Sequence, residues 1–207
     1  MSVGRALAHP KVLALTAAYF FVVTGNYGVE MYMASILKDW YHLEVQKISW
    51  LIVIPAIGSL LGQIFVGWNS DRTHERRWHA SLPIIFGATA LVLTPVSQGD
   101  CWLTIVLFTL AKTGVKAYLP AFWTLPSELM SAAAAAASIG LINSFGSLGG
   151  AVGPTVVGMV RGSTGSYCAG LRFLAVSMVI SAAIIMTLGI GGKVRARPEP
   201  VELTEPV

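Results

Sequence analysis

Charge is scarce in this chain. Asp, Glu, Lys and Arg make up 12% of its 207 residues, against about 25% in an ordinary soluble domain. Hydrophobic residues make up 55%, and the mean hydropathy is +0.68. No stretch suits a soluble domain. The runs also lack the alternation of apolar and polar residues over ~10 positions that marks the strands of a membrane barrel. Cysteine occurs only twice, as Cys101 and Cys168. Both fall near the same end of their helices, so a disulfide in an oxidising compartment and two unpaired small apolar residues both stay open. His9, His42, His74 and His79 are scattered through loops and helix ends and form no metal set. There is no phosphate-binding glycine loop, nucleophile elbow or pair of catalytic carboxylates. An enzyme reading has no residues to stand on, and neither cofactor nor metal is expected.

Long apolar runs fill the space that charge leaves. A hydrocarbon core of ~30 Å takes roughly 20 apolar residues as helix. Six such runs predict spans over 12–37, 48–69, 80–98, 102–127, 130–160 and 171–192. The first is too long for a signal-peptide core, and no small-residue cleavage site follows it. The fold class is therefore an all-α membrane protein, with a six-helix bundle over 1–192. The tail 193–207 is rich in Pro, Glu and Val and has no apolar period, which predicts a cytoplasmic tail without a packed core.

Lys and Arg in the short loops set the orientation. With the N-terminus inside, Arg5, Lys11, Arg72, Arg76, Arg77, Lys193, Arg195 and Arg197 fall on the cytoplasmic side, and Lys38, Lys47, Arg161 and Arg172 on the other. Eight against four predicts both termini in the cytoplasm. The pI of about 9.2 then reports topology and not nucleic-acid binding. Lipid is the partner that the composition itself demands.

Pro55, Pro83, Pro95, Pro120 and Pro154 interrupt the apolar runs, and each frees a carbonyl that a neighbouring helix must satisfy. In the fifth run Gly146 and Gly150, and Gly149 and Gly153, form two overlapping GxxxG patterns, which allow close approach of helix backbones. Gly153-Pro154 predicts a bend in the outer half of that helix.

Ionisable residues inside a span are costly and are candidates for function by default. Lys112 and Lys116, four apart on one face of the fourth run, repel each other unless something negative lies near. A substrate anion, Glu30 of the first run, or a carboxylate on another bundle would serve. Snorkelling of the lysines towards the surface is the plainer alternative. Glu30 is the sole carboxylate within a span and a candidate for proton coupling, or else a residue near the outer surface. Asn26, Tyr27, Gln63, Trp123 and Asn143 are the uncharged polar or amphipathic residues of the runs. Amides suit hydroxyl and carboxylate groups, and aromatic rings stack on sugars while offering one hydrogen bond. Packing or an interfacial belt explains the aromatics equally well.

Two segments carry a family resemblance. Gly67 to Arg77 reads GWNSDRTHERR and resembles the signature loop of the major facilitator superfamily, which joins the second and third helices of each six-helix half. Gly67, Asp71, Arg72, Arg76 and Arg77 are its candidate gating residues. Ala121 to Gly158 reads AFWTLPSELMSAAAAAASIGLINSFGSLGGAVGPTVVG and resembles the anion:cation symporters of that superfamily, which include tartrate, phthalate, hexuronate and galactonate carriers. His9-Pro10-Lys11-Val12 looks like their entry into the seventh helix. The resemblance implies helices seven to twelve of a twelve-helix carrier, two inverted three-helix repeats, and transport of organic anions with protons. It implies that Trp123, Asn143, Asn26 and Tyr27 line the substrate cavity. Glu30, Lys112 and Lys116 depart from the family's small or neutral residues there. The implied partners are an organic anion, protons, and an N-terminal six-helix half or a second copy. A fragment without transport and a partner-binding membrane subunit are the alternatives.

Overall fold

A backbone in hydrocarbon finds no water, so its amides must be satisfied within the chain, and helix is the local solution. In the computed structural model, which describes residues 7–192, six helical segments are long and apolar enough to cross a membrane. They are α1 (Pro10–Tyr41), α2 (Val45–Thr73), α3 (Arg77–Ser97), α4 (Cys101–Leu129), α5 (Ala132–Thr164) and α6 (Cys168–Thr187). No strand occurs among the described residues. Arg5, Lys193, Arg195, Arg197 and the predicted tail lie outside them.

Local chemistry sets the ends. His9 accepts the Lys11 amide at 3.2 Å ahead of Pro10, and Asp100 accepts the Leu103 amide at 3.1 Å. Each side chain satisfies one of the free amides of a first turn. Left-handed residues close three helices: His42 at φ 50° after α1, His74 at φ 51° after α2, and Gly165 at φ 69° after α5. Two predicted features differ from the structure. The stretch from Gly67 is not a hairpin loop: α2 stays helical through Thr73, because a surface position does not stop a helix until a residue turns left-handed. α5 is interrupted at Ser147–Leu148, and Pro154 lies inside the continuous helix Gly149–Thr164. The interruption lies between two close approaches to α1, Gly146 against the Tyr19 ring and Gly149 against the Phe20 carbonyl.

Which helices touch defines the architecture. α4 packs on α2 and α3, α1 packs on α5 and α6, α3 packs on α6, and α1 meets α4. Exchanging α1 with α4, α2 with α5 and α3 with α6 leaves that pattern unchanged. Helices three apart in sequence run in opposite directions, so the two triplets are inverted copies of one another. The result is a front row, α2–α4–α1–α5, backed by the pair α3 and α6. α2 and α5, at the ends of the row, are the least buried.

The tightest contacts are between backbones. A Cβ on Gly114 of α4 would lie 2.4 Å from the Pro83 carbonyl oxygen and 2.5 Å from the Gly87 Cα of α3. A Cβ on Gly153 of α5 would lie 2.1 Å from the Thr24 carbonyl oxygen of α1. Tryptophans mark the membrane surfaces. Exposed Trp50 and Trp68 on α2 are separated by about 27 Å of helix at 1.5 Å per residue, close to the hydrocarbon thickness. Exposed Trp78 and Trp102 place α3 and α4 in the same frame, as interfacial aromatics do.

Gly114→Ala should therefore destabilise the bundle by about 1–3 kcal/mol, the cost of overpacking. Gly140→Ala, with nothing within 4 Å of the new carbon, should be neutral or slightly stabilising. Melting of both variants in lipid–detergent micelles checks this, and equal responses would contradict the close-contact account.

Candidate functional site

The front row has one face that α3 and α6 do not cover, and the helix period decides which side chains reach it. On α1, Gly25 and Gly28 receive Met178 and Leu174 of α6, while Ala18 and Phe21 accept hydrogen bonds from Ser181 and Ser177 through their carbonyls. At 100° per residue the opposite face carries Tyr19, Asn26, Tyr27 and Glu30. On α4, Ala111 and Gly114 meet Gly87 of α3, which turns Lys112 and Lys116 to the front.

Glu30, Lys112 and Lys116 come together there. One carboxylate oxygen of Glu30 lies 3.5 Å from the Lys112 ammonium and 3.8 Å from that of Lys116. Side-chain exposure falls from 39% for Glu30 to 26% for Lys116 and 13% for Lys112, so the carboxylate lies outermost. Lys112 is about 15 Å of helix from Trp102, near mid-membrane. An insertion scale puts a lysine at that depth at about 2.5–3.5 kcal/mol, so the carboxylate between the two amines has a clear stabilising role. Glu30 is accordingly a member of this cluster. One turn away, the Asn26 side-chain oxygen is buried and has no hydrogen-bond partner among the described residues.

The other predicted residues sit at a second level. Trp123 packs edge-on against Tyr19 with centroids 5.0 Å apart, and Tyr19 covers Gly146 of α5, one turn beyond exposed Asn143. Tyr19 is about 16 Å along α1 from Glu30. Half-exposed Tyr27 stands between the levels, against Gly150. Gln63 bonds back to the Ser59 carbonyl at 3.4 Å within α2. The predicted residues thus form a strip along one face and not a single cluster.

A family model of the Major Facilitator Superfamily matches residues 5–205. The chain belongs to this superfamily. It is 31% identical to a candidate tartrate transporter of Agrobacterium vitis, over 97% of this chain and 43% of that protein. It is 33% identical to the quinolone resistance transporter of Acinetobacter baumannii, over 98% of this chain and 46% of the other. For the inner membrane transport protein RhmT of Escherichia coli K12 the identity is 31%, over 89% and 43%. The chain spans less than half the length of each. These relatives are transporters, and this chain is a multi-pass membrane protein of the same superfamily.

The turn between α2 and α3 is held by a polar network at one end of this major facilitator bundle. Arg76 pairs with Asp71 at 2.5 Å and donates to Ser70 at 3.1 Å. Buried Glu75 accepts the Trp78 amide at 2.9 Å and contacts His79 at 3.0 Å, and His79 contacts Asn69 at 2.9 Å. Arg72 and Arg77 lie over Trp68 and Trp78, at 5.5 and 5.8 Å from the ring centroids. Gly67 sits within α2 against Pro120. The amides of Arg76 and Arg77 both donate to the Gly191 carbonyl, at 2.6 and 2.9 Å, so the end of the described chain is tied to this turn. Glu75 escaped sequence analysis, although an acidic residue just ahead of a helix is a capping signal.

A second network closes the far end. Asp39 at the end of α1 pairs with Arg161 of α5 and accepts the Tyr167 hydroxyl at 2.7 Å. The Arg161 guanidinium lies 4.7 Å from the Tyr167 ring centroid. Burial, and then the bond to Asp39, raise the Tyr167 phenol above its ordinary value, so its hydroxyl stays a donor. A polar recess of about 700 Å³ opens beside this network, but its Arg161 is already neutralised by Asp39, whereas the intramembrane charges lie elsewhere. No local pattern announces these contacts, because the partners are 122 and 128 residues apart.

Cys101 and Cys168 are both unbonded. Asp39→Asn should loosen the far end and speed maleimide labelling of Cys168, the neighbour of Tyr167, several-fold. Labelling of Cys101 should not change. Unaltered labelling of Cys168 would show that the network does not hold this end.

Proposed function

We propose that this chain is the C-terminal six-helix half of a bacterial secondary transporter that moves organic anions by alternating access, with proton symport. The observation that carries the reading is the Glu30–Lys112–Lys116 cluster at mid-membrane depth on the uncovered face. Two ammonium groups there attract an anion, and a carboxylate beside them is a group that exchanges a proton. Asn26, Tyr27, Trp123 and Asn143 extend the face along the helices with amides and rings that suit a hydroxylated or aromatic acid. A carrier of this kind works by rocking one bundle against another around a central site. The front row is the surface that an N-terminal six-helix half, or a second copy, would face. The α2–α3 turn, with Arg72, Arg76 and Arg77, lies on the cytoplasmic side and gates the movement. Both chain ends lie on that side of the inner membrane. A subunit that only binds a partner would favour an uncharged front row, and the three charges argue against that alternative.

Vesicles containing the chain together with the N-terminal half of the Agrobacterium vitis relative should take up labelled organic acids when the outside is acidified, and vesicles with the chain alone should do so only where a second copy takes the place of that half. Lys112→Met should lower that uptake by tenfold or more, and Asn143→Ala by less. Uptake indifferent to Lys112→Met, Lys116→Met and Glu30→Gln together would refute the cluster as the substrate site.

A further inference from the structure

Glu30 and the two lysines are in contact but not hydrogen-bonded. At 3.5 and 3.8 Å both ammonium groups are beyond the roughly 2.7–2.9 Å of a charge-assisted N–H···O bond. No hydrogen bond from either ammonium to another acceptor occurs among the described residues. Each carries three donors and no acceptor. Both contacts fall on the same Glu30 oxygen. Glu30 therefore reduces the charge of the lysine pair while leaving its donors uncommitted. With Glu30 ionised the arithmetic is two positive charges and one negative, a net charge of +1. One further carboxylate brings the cluster to neutrality. A second would leave an uncompensated negative charge near mid-membrane, where unpaired charge is costly.

We infer that Glu30, while ionised, is a charge selector: it acts as a built-in first carboxylate, so that the site takes organic monoanions in preference to dianions. This rests on the organic-anion reading above and adds to it the charge of the ligand and the residue that sets it. The order of exposure fits the assignment. Glu30 is the most exposed of the three, so its charge is open to an anion approaching the lysines and repels a second negative group there.

The test is a ledger of charge read with two acids of one carbon skeleton, gluconate with one carboxylate and glucarate with two. Binding to the full chain in lipid nanodiscs is measured for wild type, Glu30→Gln, Glu30→Asp, Lys112→Gln and the double variant Glu30→Gln/Lys112→Gln. Wild type and Glu30→Asp should prefer gluconate. Glu30→Gln, with a net charge of +2, should shift the preference towards glucarate by tenfold or more. Lys112→Gln, with no net charge, should weaken both acids. The double variant returns to +1 and should return to gluconate. It also removes the amine that Glu30→Gln leaves uncompensated, so it decides the matter if the single variant fails to fold, and glucarate preference there would overturn the inference. Binding that persists with one unchanged ratio across the series would overturn the selector and leave the organic-anion reading standing. Binding of neither acid by any variant at millimolar concentration would bring down both.

Discussion

A helix in hydrocarbon gains little by burying leucine against leucine, since lipid tails are as apolar as the side chain. What holds α1 to α6 together is the closeness that small residues permit, where dispersion and carbonyl contacts act over many atoms at once. Gly114 against Gly87, and Gly153 against Thr24, bring backbones to distances at which no methyl group fits. The rest of the bundle depends on these approaches. They fix the rotation of α1 and α4, and that rotation sends Glu30, Lys112 and Lys116 to the same side. A turn of either helix by one residue would move its charges into the lipid or against the back pair.

The inverted repeat extends this logic. Gly58 and Gly62 of α2 receive Thr109 and Thr113 of α4, and Gly149 and Gly153 of α5 receive Phe20 and Thr24 of α1. The outer helix of each repeat thus lays a pair of glycines on the inner helix of the other, and the two inner helices are left side by side. The charges are not repeated. The carboxylate stands on α1 and the amines on α4, so a symmetric scaffold holds an asymmetric site. This division suits a face whose backbone is fixed by packing while its ligand is set by a few exposed side chains.

The six spans were legible in the sequence because apolar runs of that length have no other use. The ion cluster was partly legible for the converse reason: a charge in such a run stands out, and the spacing of Lys112 and Lys116 puts both on one face. Glu30 as their shared neighbour was one of three carriers of negative charge considered, and only the packing of α1 against α4 selects it. The Asp39–Arg161–Tyr167 network was not legible, since its members are joined by tertiary contact across most of the chain. Composition also misplaced two boundaries. The polar stretch after Gly67 looked like loop although its residues continue the helix, because polarity reports the membrane surface and not the end of hydrogen bonding. Pro154 drew the expected bend away from Ser147–Leu148, where the helix is interrupted between its contacts with α1.

The double acceptance at the Gly191 carbonyl has a mechanical consequence. The last turn of the bundle is fastened to the α2–α3 connection by two amides, one of which belongs to the arginine that grips Asp71. The first and second repeats are therefore joined at this end through main-chain hydrogen bonds, and a side chain at Gly191, where φ is 71°, would press on Leu125 and Arg76 and part them. Force applied to the described chain at Gly192 would load that seam before it loads the interior of α6.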